Sequence, residues 1–124
     1  MIADPLGAPL RGLFEQLAHA GELPALAGAR RLEGEAGREA LGTRVRFELA
    51  VRDDCIQAVR YRVYGCPWTL ATCEWLAGRL EGQPAQTPAV GRPLDWAQEL
   101  AIPAARLGRL LVIEDALLAA LTRL

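Results

Sequence analysis

Residues 44 to 63 alternate in character. Val45, Phe47, Leu49 and Val51 are separated one by one by Arg46, Glu48 and Ala50, with Arg44 ahead of them. After Arg52-Asp53-Asp54, Ile56 opens a second run in which Val59, Tyr61 and Val63 face one side and Arg60 and Arg62 the other. A period of two marks a strand whose side chains point to opposite faces, one buried and one polar. Two such runs joined by a short polar link predict an antiparallel hairpin covered on one face. Helices are expected after the strands rather than between them, which excludes a doubly wound parallel sheet.

The rest of the chain supplies the cover. Gly65 stops the second strand, and Pro67 suits the first turn of a helix that Gly82 closes, with Leu76, Leu80 and Trp68 or Trp75 on its buried side. Gln83 to Arg92 reads as loop and Pro93 to Leu100 as a short helix. Pro103 is expected to start a longer helix whose apolar side carries Leu107, Leu110, Leu111, Leu117, Leu118 and Leu121. Upstream, Leu6, Leu10, Leu13 and Leu17, with Phe14 adjoining, form the stripe of an amphipathic helix that Gly21 can end. From Gly21 to Gly42 the glycines predict mostly loop, with one short edge strand near Arg30 to Glu35. The expected fold is α+β: a small antiparallel sheet of about three strands, packed on one face by helices. A chain of 124 residues is the size of one core, so 1–124 is expected to form a single domain.

Bulk properties narrow the function classes. A formal net charge of -1 gives no global attraction to nucleic acid. Charged residues interrupt every apolar stretch before it reaches the roughly 20 residues of a membrane helix. Asp4 and Pro5 stand where a secretory signal would need a basic start and an apolar run, so a cytoplasmic protein is expected. Three cysteines in that setting read as free thiols. No Lys-Ser/Thr follows the glycines at 34, 37 and 42, so they form no phosphate loop. The single histidine, His19, has no identifiable triad partner and reads as a surface residue at a helix end. The chain is therefore expected not to be an enzyme. Arg44, Arg46, Arg60 and Arg62 share the polar hairpin face with Glu48 alone as counter-charge, which predicts either a solvated face, the preferred reading, or cover by an acidic partner.

Three motifs occur in a telling order: Tyr64-Gly65-Cys66 at a strand-to-helix junction, Ile102-Pro103-Ala104-Ala105-Arg106-Leu107 before the last helix, and Glu114-Asp115-Ala116 with Ala119-Ala120-Leu121 within it. On these the chain resembles the IscU/NifU (SufU-like) family of iron–sulfur cluster assembly scaffolds, over about Leu41 to Leu121. The resemblance implies a scaffold that binds a [2Fe–2S] cluster or zinc through three cysteines, an Asp two residues after the first, and sometimes a His beside the third. In this sequence the first cysteine falls on Leu41 and its Asp on Thr43, around a retained Gly42. The second is Cys66, and the His and third cysteine fall on Gly108 and Arg109. The Asn-Pro-Arg-Asn segment that usually precedes the first glycine appears as Gln16-Leu17-Ala18-His19. The resemblance further implies a cysteine desulfurase as partner and an Hsp70-type chaperone that would meet Ile102, Pro103 and Arg106.

The other cysteines do not refill the site. Cys73 follows Cys66 by two helical turns, a rise of about 10 Å, whereas thiolates on one metal each lie about 2.3 Å from it. Cys55 stands at the far end of the strand that leads to Cys66. The expectation is a divergent accessory or regulatory scaffold relative, with no cluster held stably unless a second chain or small thiol adds ligands. Two alternatives stand beside it. In the first, Cys66 is a sulfur carrier, a thiolate stabilised by a helix N-terminus and by Arg109; its plainer reading is a small residue packed at a tight junction. In the second, the chain is an oligomeric adaptor anchored by exposed Trp68, Trp75 or Trp96.

Overall fold

The structure is a computed structural model that describes residues 12–13 and 16–124. The expected N-terminal stripe falls largely outside these residues, at Leu6, Leu10 and Phe14, as does the segment Met1 to Pro5. Strands β1 (Arg30–Arg38), β2 (Thr43–Arg52) and β3 (Cys55–Tyr64) form one antiparallel sheet in the order β1-β2-β3. Helices α1 (Pro67–Leu80), α2 (Pro93–Glu99) and α3 (Leu107–Leu121) follow. This is the α+β order read from the sequence.

The hairpin closes on Asp53 and Asp54, both left-handed at φ 55° and 62°. Two positive-φ residues make the turn whose twist matches a two-residue hairpin. Register then slips by one residue, since Val51 pairs with Ile56 but Ala50 with Ala58, leaving Gln57 as the extra residue of a bulge. The bulge explains the second run's imperfect alternation. Ile56 and Val59, three apart, would face opposite sides of a regular strand, yet both are fully buried.

β1 is longer than the short strand expected near Arg30 to Glu35. It was obscured because Gly34 occupies a core-facing position between Leu32 and Ala36. A Cβ there would overlap backbone atoms of Ala116, Ala119 and Ala120, so α3 can lie against β1 only where the side chain is missing. Gly37, at φ 86°, leads to a 3-10 turn at Glu39–Leu41 and then Gly42 at φ 88°.

The core lies between the sheet and helices α1 and α3, around Phe47, Leu49, Val59, Tyr61, Leu76 and Ile113. Pro103 does not begin the last helix as expected: it is extended (ψ 143°), a 3-10 turn covers Ala104–Arg106, and α3 starts at Leu107. Nor do all the expected leucines face inward. Leu111 and Leu118 are about half exposed, and the buried positions are Leu110, Ile113, Ala116, Leu117 and Ala120.

The outer edge of β3 is covered at both ends. Tyr61 exchanges backbone hydrogen bonds with His19 and Gly21, and Ile56 does so with Gly82 and Gln83. His19 is therefore not a surface residue. Its backbone N–H donates to Glu74 Oε1 at 2.9 Å, Nδ1 meets Glu74 Oε2, and Nε2 lies 2.8 Å from Glu81 Oε1. The Tyr61 hydroxyl donates to Glu74 at 3.0 Å, and Glu81 accepts from the Val59 N–H at 3.0 Å. Burial alone would push the imidazole down, but the two carboxylates hold His19 above its ordinary value.

The arginines on the open face of the sheet find carboxylates on the sheet and beside it. Glu33 and Glu35 on β1 join Glu48 there, so Arg46 pairs with Glu33 at 2.8 Å, Arg44 with Glu35, and Arg31 with Glu48 at 2.9 Å. Arg62 reaches Glu22 at 2.5 Å and Arg60 lies 3.5 Å from Glu81. Burial raises the Glu48 carboxyl, yet the Leu23 N–H with Arg31 and Arg46 holds it below the usual carboxylate range. The face needs no acidic partner for its arginines.

Candidate functional site

The junction between β3 and α1 places Cys66 as the N-cap of the helix, with extended backbone (φ -85°, ψ 167°) and Pro67 in the first turn. Its sulfur, half-buried, lies 3.3 Å from the Thr69 hydroxyl. Burial alone would push the thiol up. The Thr69 hydroxyl, the backbone N–H groups of Thr69 and Trp68, and the positive Arg109 guanidinium more than offset it and hold Cys66 below the ordinary thiol value. Thr69, three residues after an N-cap, was the signal available in sequence for this contact.

Leu41, Thr43, Gly108 and Arg109, separated by up to 68 residues in the chain, line one cleft of about 260 Å³ together with Gly37, Arg38, Ala105 and Val112. The 3-10 turn delivers Leu41, the first residue of β2 delivers Thr43, and the first turn of α3 delivers Gly108 and Arg109. Arg109 Nη1 donates to Thr43 Oγ1 at 2.8 Å, and Thr43 is buried (5% exposed). Leu41, by contrast, is 79% exposed and offers the cleft only an apolar rim.

The donor set can be tested against a cluster or zinc. Such a centre needs several deprotonated thiolate, imidazole or carboxylate ligands. Among the described residues no group of three His, Cys, Asp or Glu side chains is placed to hold a metal ion. Of the five positions, only Cys66 carries a donor atom of that kind; Arg109 supplies hydrogen-bond donors and no lone pair for a metal, and Leu41 and Gly108 supply nothing. The residues present do not fit the group. Cys73 is fully buried inside α1, where burial and Glu74 push its thiol well above the ordinary value. Cys55 sits at the opposite end of β3 from Cys66, paired across a bridge to Pro84.

Ile102, Pro103 and Arg106, expected to meet a chaperone, are divided by burial. Ile102 is buried and bonded through its N–H to Ala97 O at 2.9 Å, Pro103 is exposed, and the Arg106 guanidinium stacks 4.7 Å above Trp68. Trp75 is similarly capped by Arg79 at 4.3 Å. Trp96, expected as a surface anchor, is instead 1% exposed with Nε1 donating to Val90 O at 2.7 Å, because α2 turns it under the last helix. No described helix is long and apolar enough to cross a membrane.

A family model described as the NifU-like N terminal domain matches residues 12–123. Over 51 residues the chain is 49% identical to the bifunctional protein NifU/MnmA of Rubrobacter xylanophilus, a stretch that is 40% of this chain and 10% of that protein. The chain thus spans a small part of that relative. Among solved structures it is similar to a candidate iron–sulfur cluster assembly scaffold protein for the SUF system from Fervidobacterium islandicum AW-1, with a TM-score of 0.66, 16% identity, and 91% of this chain and 93% of that one covered. A nitrogen-fixing NifU-like protein (N-terminal) from Brucella abortus gives a TM-score of 0.61 at 16% identity, covering 93% and 90%. At that identity the two structures speak for the fold alone.

Proposed function

The chain belongs to the NifU-like N-terminal domain family, and from that premise we propose that it serves iron–sulfur cluster assembly as a divergent accessory or regulatory binding protein of the cytoplasm, not as an autonomous scaffold or an enzyme. One observation carries the reading. Four of the five positions that the family resemblance assigns to ligands, Leu41, Thr43, Gly108 and Arg109, line a single cleft, and there a guanidinium bonded to a buried threonine stands among them. A cationic group that accepts no metal disfavours iron or zinc twice over, by missing donors and by charge repulsion. The domain would keep the family's architecture and its partners while giving up retention of the cargo.

The test is anaerobic reconstitution with iron, sulfide and thiol, followed by desalting, metal and sulfide analysis and an absorption spectrum. The expected result is no cluster that survives desalting; one cluster per chain overturns the reading.

The lowered thiol of Cys66 favours a second reading, sulfur transfer. The Cys66 thiolate would attack the terminal sulfur of a desulfurase cysteine persulfide, forming a Cys66 persulfide and releasing the desulfurase thiolate, so that atoms and charge balance without an external oxidant. Intact mass after incubation with a cysteine desulfurase and cysteine should rise by one sulfur atom. The idea fails if no adduct forms or if the adduct persists in Cys66→Ser.

A further inference from the structure

The cleft without metal ligands has a chemistry of its own. Arg38 and Arg109 line it, and no carboxylate does. Several other arginines sit on acids, as Arg44 does on Glu35, Arg62 on Glu22 and Arg92 on Glu114, while Arg52 lies on Ala27 O and Arg106 over Trp68. Among the described residues Arg38 and Arg109 have no such partner.

Arg109 is held rather than loose. Its Nη1 uses one donor on Thr43 Oγ1, which leaves four of the five guanidinium N–H groups free to serve a ligand. Having accepted that bond, the buried Thr43 hydroxyl still has its own proton to donate. Leu41, Ala105 and Val112 supply apolar walls, and no acidic residue occupies the first turn of α3, whose positive end Gly108 and Arg109 form. The cleft therefore offers two positive charges and an excess of donors, with one donor group fixed in advance. Planar guanidinium groups in that state bind oxyanions through paired hydrogen bonds, and prior fixing lowers the ordering cost.

We infer that this cleft binds an oxyanion, carried by its ligand as a phosphate or a carboxylate, with Arg109 and Thr43 as the fixed donors and Arg38 as the exposed one. The inference deepens the reading above and rests on the cleft being no cluster site. The two can fail separately, because reconstitution probes metal retention while anion binding is measured on the metal-free chain.

Titration calorimetry of the full chain at constant ionic strength in chloride, with inorganic phosphate in one arm and succinate in the other, tests it. At least one should bind saturably at one per chain; phosphate alone identifies a phosphate ligand, succinate alone a carboxylate ligand, and both a shared oxyanion site. Affinity should fall about tenfold in Arg109→Gln, as loss of a charge-assisted bond implies, fall in Arg38→Gln, and stay unchanged in Arg52→Gln, whose guanidinium lies on Ala27 O. Arg38 is exposed, so Arg38→Gln keeps the test open should the Arg109 variant not fold. Absence of saturable binding in both arms overturns the inference, as does unchanged binding in the folded Arg38→Gln variant.

Discussion

Cys66 takes its character from groups that are distant in sequence as well as near. Its thiolate is stabilised against burial by Thr69 and the first turn of α1 on one side and by Arg109 of α3 on the other. In a Cys55→Ser background, the pH dependence of Cys66 alkylation should show a midpoint below the ordinary thiol value, and Arg109→Gln should move that midpoint upward. An unmoved midpoint would mean that Arg109 does not act on the thiol. The junction motif Tyr64-Gly65-Cys66 was legible in the sequence because strand end, glycine stop and helix-starting proline follow one another locally. The bond between Arg109 and Thr43 was not, since no local pattern links residues 66 apart. The convergence of Leu41, Thr43, Gly108 and Arg109 came into view only through the family resemblance, never through spacing.

At the scale of elements, strand periodicity gave the hairpin its faces, and helical leucines misled where identity was read in place of spacing. On α3 the buried stripe is Leu110, Ile113, Leu117 and Ala120, at steps of three and four, whereas Leu111 and Leu118 lie one residue on, about 100° round the helix. β1 is longer than its sequence pattern predicts because its central core position is a glycine, and the reason for that glycine lies in the helix that crosses it. Gly34→Ala should cost about 3 kcal/mol in urea denaturation, since the methyl meets backbone atoms of α3 that cannot swing aside. A loss below a few tenths would show that α3 does not seat on β1 this closely. In the hairpin turn, Asp54 holds φ 62° without a glycine's freedom. Asp54→Gly should raise stability by about 0.5 kcal/mol in the same assay, because a two-residue turn of this kind prefers glycine at its second position.

Across the whole molecule, one histidine joins the segment ahead of the sheet to the back of α1. His19 lies between Glu74 and Glu81, and these are met in turn by Tyr61 and Arg60. Because its folded pKa is raised above the ordinary 6.5, its contribution to stability is complete below that value and is lost as pH rises through the folded one. His19→Gln should therefore destabilise more at about pH 6 than at about pH 9 by chemical denaturation; an equal loss at both would remove the charge from the explanation. At the same scale stands the proposal that the family architecture persists around a site without its metal ligands. It is tested most directly by rebuilding the site with Leu41→Cys, Thr43→Asp and Arg109→Cys in one chain that keeps Cys66, and measuring zinc per chain after dialysis against parent protein. The account predicts one zinc per rebuilt chain and none retained by the parent. Stoichiometric zinc in the parent, or a folded rebuilt chain that binds none, would contradict it.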